Sequence, residues 1–347
     1  MKLNFCTLFN SNYVSRGLVM YESLLEHCAD FHLYVFAFDD KTFEFLKSQN
    51  YPQLTVISLK EFEDGELLRV KPDRSAAEYC WTCTASTILF SINKFGLDNC
   101  TYLDADMCFY SDPSVLIEEM GDKSVLITGH RYTPEYDHSV KSGKYCVQFV
   151  TFKNDENGME VLSWWRNACI EWCYARHEDG KFGDQKYLDD WTTRFKGVHD
   201  LQHLGGGLAP WNIQQYSFSA EDGKLKGEEY TTGEKFEAVF FHFHGLRLFE
   251  NNMVMITGSE YELSKDVKRL LYGPYLREIQ KARAVIAGNP AGKMIRDTAG
   301  KSSSGPMSIF VITFYYLRDL KRSIKNIFGK TLSYHLKHHS FFRMNDL

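Results

Sequence analysis

The sequence has no surplus of positive charge, no regular cysteine spacing, no charged leader ahead of a long apolar stretch, and no internal repeat. Each absence removes a class of function. With Lys+Arg 40 against Asp+Glu 45 the formal charge is −5, so no global positive field is available to neutralise a nucleic-acid backbone. The cysteines number nine, an odd count scattered from Cys6 to Cys173, which argues for reduced thiols and a cytoplasmic setting rather than a disulfide framework. Cys80-Trp81-Thr82-Cys83 and Cys169-Ile170-Glu171-Trp172-Cys173 fall in apolar helical patterns and read as core thiols rather than a zinc site. Met1-Lys2-Leu3-Asn4-Phe5 runs straight into a strand-like segment, so no signal peptide is expected. The apolar and aromatic run over 307–317 is too short to span a bilayer.

What is present is a globular composition, 44% hydrophobic and 24% charged over 347 residues. That is enough for one large α/β domain with an appendage, or for two domains. Short apolar runs at 5–9, 33–38 and 54–59 alternate with helical spacing at Leu18, Tyr21, Leu25 and Cys28 and around Phe43, Phe45 and Leu46. This alternation predicts a mostly parallel sheet covered by helices on both faces. Ser75-Ala76-Ala77-Glu78 has capping-box form and opens a helix expected to run to about Lys94, with Gly96 as its stop. Further strands are expected at 125–128, 147–152 and 238–244, and helices at 158–176, from 183, and over 261–286 with a break at Gly273-Pro274. Leu204-Gly205-Gly206-Gly207-Leu208 reads as mobile or tightly turning backbone.

The pattern divides the chain into a domain over 1–286, a flexible linker over 287–306 rich in Gly and Ser, and a basic aromatic tail over 307–347. The tail, expected to be helical, carries Arg318, Lys321, Arg322, Lys325, Lys330, Lys337 and Arg343. Such a segment suits either the anionic surface of a membrane or a docked helix with a solvated basic face.

Tyr102-Leu103-Asp104-Ala105-Asp106-Met107 carries the chemistry. In extended backbone, residues two apart share a side, so Asp104 and Asp106 face one spot at the end of roughly the fourth strand. Two adjacent carboxylates stay ionised at low cost only beside a cation, and hard oxygen ligands suit Mg²⁺ or Mn²⁺. Open α/β sheets bind ligands beyond the carboxyl ends of their strands, where a nucleotide is therefore expected.

Taken in order, these motifs resemble the GT-A fold glycosyltransferases of family 8, the glycogenin and bacterial lipooligosaccharide galactosyltransferase type, over about the first 250 residues. Thr7 with Asn12-Tyr13 stands where that family holds the nucleobase and ribose. Leu103-Asp104-Ala105-Asp106 matches its Asp-x-Asp motif, which holds metal and sugar nucleotide. Asp184-Gln185 matches its Asp-Gln pair near the reacting sugar, and His242-Phe243-His244-Gly245 its His-Phe-x-Gly segment, whose histidine binds manganese. The resemblance implies a Rossmann-like sheet and a hexosyltransferase. It would move sugar from a nucleoside diphosphate sugar, with UDP-sugar expected, to a saccharide or glycolipid in surface polysaccharide or lipopolysaccharide assembly. It implies Mn²⁺ or Mg²⁺ on Asp104, Asp106 and His242, with His244 as the alternative histidine, while the cysteines and the basic tail add the expectation of a cytoplasmic protein, peripheral at the inner membrane face if the tail binds there.

The chain departs from that pattern after Gly245, where Leu246-Arg247 stands in place of Lys-Pro-Trp, and around Gln148, where an Asn-x-Gly segment is replaced. Tyr13 is a candidate to stack on the base, Asp39 to reach base or ribose, and Arg74 to meet diphosphate or sugar. Asp184 and Gln185 either stabilise positive charge on a retained sugar or, in an inverting reaction, supply a general base through Asp184. His203 and Trp211 flank the glycine run, and Trp211 is a candidate either as a platform for an acceptor sugar or as an anchor of that loop to the core. His130-Arg131 is a weaker acceptor candidate. The competing readings are a nucleotidyltransferase, a haloacid-dehalogenase phosphatase, and a non-catalytic membrane-associated scaffold. The phosphatase normally carries its Asp-x-Asp on the first strand, whereas three strand-like segments come first here.

Overall fold

The computed structural model describes residues 2–249, 252–258, 260–297, 317 and 340–347. Its centre is a seven-stranded sheet made of β1 (Leu3–Phe9), β2 (Phe31–Ala37), β3 (Leu54–Ser58), β4 (Asn99–Leu103), β6 (Val125–Gly129), β7 (Tyr145–Lys153) and β8 (Val198–Asp200), in the order β3-β2-β1-β4-β7-β6-β8. Between β4 and β6 in the chain lies the short β5 (Met107–Phe109), which belongs to a separate two-stranded pair. β1 pairs in parallel with β2 and β4, β2 with β3, and β6 with β8. Only β7 runs the other way, antiparallel to both β4 and β6. Its first residues therefore lie at the edge where β1, β2, β4 and β6 end.

Strand residues are buried on both faces, which is why the runs are continuously apolar. Phe5, Phe9, Leu33 and Val35 pack toward one apolar cluster, and Cys6, Leu8, Tyr34 and Phe36 toward the other. The helices Val14–His27 and Gly273–Gly288 contribute to the first cluster, and Ala76–Phe95 and Glu156–Glu171 to the second.

Local signals set the helix ends. Ala76–Phe95 begins with a complete capping box between Ser75 and Glu78 and stops at Gly96, whose φ of 62° is the left-handed conformation. Glu156–Glu171 starts two residues before the expected position because Asp155 caps it, accepting from the Gly158 amide. It ends at Trp172, short of the expected Arg176.

Two expectations are corrected. The helical path over 265–288 is not broken at Gly273-Pro274: a wide π turn, Lys268–Tyr272, precedes Gly273–Gly288 and gives the proline ring room against the preceding carbonyls. The first part of the expected linker is packed. Ala291–Met294 forms a 3₁₀ turn, and the buried Asp297 accepts from Arg283 Nε at 3.2 Å, lies 3.4 Å from Arg16 Nη1, and accepts from the Ser15 hydroxyl. The Ser-Ser-Ser stretch and most of the basic tail, including its membrane assignment, lie outside the described residues.

The remaining strands complete the far side. β9 (Tyr216–Glu221), β10 (Lys224–Glu229) and β11 (Lys235–Glu237) form an antiparallel sheet. β12 (Phe240–His242) pairs antiparallel with β5, while β13 (Arg247–Leu248), β14 (Met253–Met255) and β15 (Phe341–Arg343) form a three-stranded sheet. Among the described residues no helix is long and apolar enough to cross a membrane.

Candidate metal and active site

The sheet places one cluster of side chains at its carboxyl edge. Asp104 follows β4 directly, its amide donating to the Gln148 carbonyl of β7 at 3.1 Å. The pairing of His242 with Met107 in the β5–β12 ladder, and the Phe243 amide on the Asp106 carbonyl at 2.9 Å, bring the histidine beside the acidic pair. His242 Nε2 lies 3.1 Å from Asp106 Oδ1 and 3.7 Å from Asp104 Oδ2. On its other side, His242 Nδ1–H donates to the Gln148 side-chain oxygen at 2.6 Å. Because that oxygen can only accept, this bond turns the lone pair of Nε2 toward the carboxylates when the ring is neutral.

The electrostatics describe a centre with excess negative charge. Burial pushes Asp104 up to about 6, with Asp106 adding to the shift and His242 opposing it. Burial also opposes ionisation of Asp106, but His242, with His244 and Arg16, outweighs it and holds Asp106 down at about 2. Burial disfavours the charged His242, yet Asp106 and Asp104 together drive it well above its ordinary value. A divalent cation is the group that satisfies both carboxylates and the imidazole together, so the residues fit the metal that the resemblance implies. His244 lies behind His242, ring centroids 5.5 Å apart, and burial pushes it down to about 4.

Beside this centre lies a cleft of ≈ 430 Å³ whose lining includes Asp104, His242, Asp184, Tyr132, Trp81 and Tyr261. Asp184 is buried and its Oδ2 has no hydrogen-bond partner. Burial pushes it up to about 7, Thr84 pulling against the shift and Asp104 adding to it. Gln185 donates its amide to the Ser142 carbonyl at 2.7 Å and so ties the 139–142 turn to the cleft. A larger cavity of ≈ 840 Å³ lies between the helices Val14–His27 and Gly273–Gly288, with Glu22, Glu26 and Glu278 at its wall, away from this cluster.

The other sequence candidates have varied places. Thr7 is fully buried within β1 and its hydroxyl has no partner. Tyr13 lies under the Arg16 guanidinium at 4.5 Å, and Arg16 donates to the Asn12 carbonyl at 3.0 Å, which fixes the loop after β1. Asp39 accepts from the Ser11 and Thr42 amides, joining that loop to the end of β2.

Arg74 is engaged elsewhere: it stacks on Tyr174 at 3.9 Å and donates to the Ile170 carbonyl. His203 accepts from the Gly205 amide, and its own amide is held by Glu119, so its bonds serve the loop rather than the acidic centre. Trp211 is a wall and not an open platform. Only 4% exposed, it donates to the His130 carbonyl and meets the rings of His242 and His244 edge-on. The glycine run is close-packed: Gly207 has φ of +92°, and a Cβ there would lie 2.7 Å from Thr128 Cγ2.

Sequence reasoning gave Cys146 and Gln148 no role. Both stand on β7, and an Sγ of Cys146, a carboxylate oxygen of Asp104 and a ring nitrogen of His242 lie within 4.8 Å of one another. Only the reversed direction of β7 puts its start at this edge, and no local pattern announces that.

Comparison with known proteins places the chain in a family. Over 291 residues it is 31% identical to the uncharacterized protein YfnD of Bacillus subtilis (strain 168), spanning 80% of this chain and 89% of YfnD. The chain belongs to the YfnD family. The uncharacterized protein YfnF of the same organism is 30% identical over 258 residues, covering 72% of this chain and 84% of YfnF. No family model matches the chain. Among solved structures similar to this YfnD-family chain, the apo form of mouse Xyloside xylosyltransferase 1 aligns at 11% identity and a TM-score of 0.45, over 70% of this chain and 98% of that one. The glycosyltransferase GlyE of Streptococcus pneumoniae TIGR4 aligns at 15% identity and a TM-score of 0.36, over 59% of this chain and 47% of that one. The bifunctional WbbM apo structure aligns at 10% identity and a TM-score of 0.39, over 60% of this chain and 40% of that one. At such scores these likenesses decide neither fold nor function, which rest on the topology and site above.

Proposed function

We propose that this protein is a metal-dependent hexosyltransferase that moves a sugar from a nucleoside diphosphate sugar, UDP-sugar by preference, to a saccharide or glycolipid acceptor. The observation that carries this reading is the convergence of Asp104, Asp106 and a Gln148-oriented His242 on one point beside Asp184, at the carboxyl edge of the sheet. Asp104, Asp106 and His242 would hold Mn²⁺ or Mg²⁺. When bound, the ion supplies charge neutralisation to the departing diphosphate.

The chain's own residues do the rest. The loop after β1, fixed by Arg16 and Asp39, offers Asn12 and Tyr13 to the nucleoside. Asp184, with a protonation midpoint near neutrality and an unpartnered oxygen, faces the reacting sugar. If the product keeps the donor's configuration, the Asp184 carboxylate stabilises positive charge on the sugar. If the configuration inverts, Asp184 accepts the proton of the acceptor hydroxyl. Proton NMR of the product's anomeric signal assigns the role. Aromatic side chains of Trp81, Tyr132 and Tyr261 wall the side open to an acceptor.

Calorimetric titration with UDP, GDP and CMP, with and without Mn²⁺, tests the reading on the wild type and on Asp106→Asn. UDP binding that requires Mn²⁺ and disappears in the variant is the expected result. Binding of no nucleotide, or binding indifferent to metal and variant, overturns it. Phosphate release from small phosphoesters, or pyrophosphate release from a nucleoside triphosphate, would then identify the phosphatase or the nucleotidyltransferase.

A further inference from the structure

The metal centre has a neighbour that the Asp-x-Asp and histidine motifs do not account for. Cys146 is buried on β7, two residues before Gln148, so the strand's alternation sets both side chains toward the same face. Gln148 holds Nδ1 of the His242 ring, and the Cys146 sulfur, an Asp104 oxygen and a His242 ring nitrogen lie within 4.8 Å of one another. Among the described residues no other group of three or more His, Cys, Asp or Glu side chains meets that spacing. The chain's other thiols differ in surroundings. Cys6, Cys83, Cys100, Cys169 and Cys173 sit in the apolar cluster beneath the sheet, and all nine cysteines are free. Cys146 instead packs among Trp211, Ala209 and Tyr261 on one side and meets the polar centre on the other.

We propose that the Cys146 sulfur is a further protein ligand of this centre, making it a mixed oxygen, nitrogen and sulfur site. It then takes thiophilic divalent cations such as Co²⁺, Zn²⁺ or Cd²⁺ in preference to Mg²⁺. The inference rests on the metal-centre reading above and adds the identity of the preferred ion class. Carboxylate oxygens alone favour hard ions, imidazole suits borderline ones, and a thiolate moves the balance toward soft ones. Ligation exchanges the S–H bond for a sulfur–metal bond and releases the proton to solvent, with no change of oxidation state.

Cobalt(II) reports the ligand directly, without any assay of turnover. Titrated with Co²⁺ under reducing conditions, the full chain is expected to develop visible d–d bands together with a near-ultraviolet sulfur-to-cobalt charge-transfer band. In Cys146→Ser the d–d bands persist, because Asp104, Asp106 and His242 remain, and the charge-transfer band is lost. Cys146→Ala serves the same purpose if the serine variant does not fold. A wild type with d–d bands and no charge-transfer band overturns the sulfur assignment and leaves the centre standing. A charge-transfer band that survives in Cys146→Ser assigns the sulfur to another cysteine and overturns it too. Absence of both kinds of band in the wild type defeats the metal centre itself, and the inference with it.

Discussion

Asp184→Asn exchanges a buried, ionisable carboxyl for a neutral group of the same shape. Asp184 is 3% exposed, and burial moves it from 3.8 to about 7. The folded protein therefore keeps a proton on this residue that the unfolded chain has lost, throughout the window from about pH 4 to pH 7. Since the folded state binds more protons there, stability falls as pH rises through that window. Above it, confinement of the anion costs on the order of 4 kcal/mol, and at pH 5 only about 2 kcal/mol. Asparagine carries no such cost. With an unfolding entropy of about 2.1 cal/mol/K per residue, a chain of this length gains about 6 °C in Tm at pH 8 and about 2–3 °C at pH 5. Differential scanning fluorimetry of both proteins, without added metal, from pH 5 to pH 8 measures the gap. A gap that stays level or narrows as pH rises refutes the reasoning. The same variant is expected to lose sugar transfer, and wild-type transfer to rise with pH through about 7 as Asp184 ionises.

Gln148→Leu leaves His242 Nδ1 without its acceptor, and Mn²⁺ affinity measured by calorimetry is expected to fall about 10–100-fold. Unchanged affinity would mean that Gln148 does not orient the ring. Gly207→Ala places a side chain at φ of +92° and 2.7 Å from Thr128 Cγ2. It is expected to cost about 1–3 kcal/mol, seen as a lower urea midpoint with unchanged slope. Asp297→Ala strips the fully buried Arg16 of its anionic partner, leaving it the Asn12 and Leu246 carbonyls, which is expected to cost about 3–5 kcal/mol in the same measurement. A variant as stable as wild type would show that the cluster of Arg16, Arg283 and Asp297 is structurally idle.

The sequence was readable wherever a signal is local. Ser75, Glu78 and Gly96 mark both ends of the helix Ala76–Phe95, because a capping box and a left-handed glycine act within one turn. Asp104 and Asp106 were legible as a pair at the end of β4, but not through the extended backbone expected: β4 ends at Leu103, and Asp106 lies in the turn before β5. Interactions between distant segments were not legible. Arg74 sits just before that helix in sequence, yet Tyr174 and the Ile170 carbonyl occupy it. Trp211 next to a glycine run left open an acceptor platform or a loop anchor, and only the folded chain shows the indole N–H held by the His130 carbonyl and the ring against the histidines. Asp297 lies in a stretch of linker composition, and only the folded chain shows that Arg16 and Arg283 claim it. The role of Gln148 and the place of Cys146 depend on the direction of β7, a property of topology rather than composition.

The ladder between β5 and β12 also governs when the centre comes into being. It joins Met107–Phe109 to Phe240–His242, so everything between Phe109 and Phe240 is a loop that must close before His242 meets the carboxylates. For a span on the order of 130 residues the length-dependent entropy of that closure is about 4 kcal/mol, and such distant pairings form slowly compared with helices. Metal capture at the proposed site is therefore expected to be a late event of refolding that reports closure of this loop, while contacts of still longer range, such as Arg16 with Asp297, form outside it. It cannot serve as a seed around which the early structure gathers.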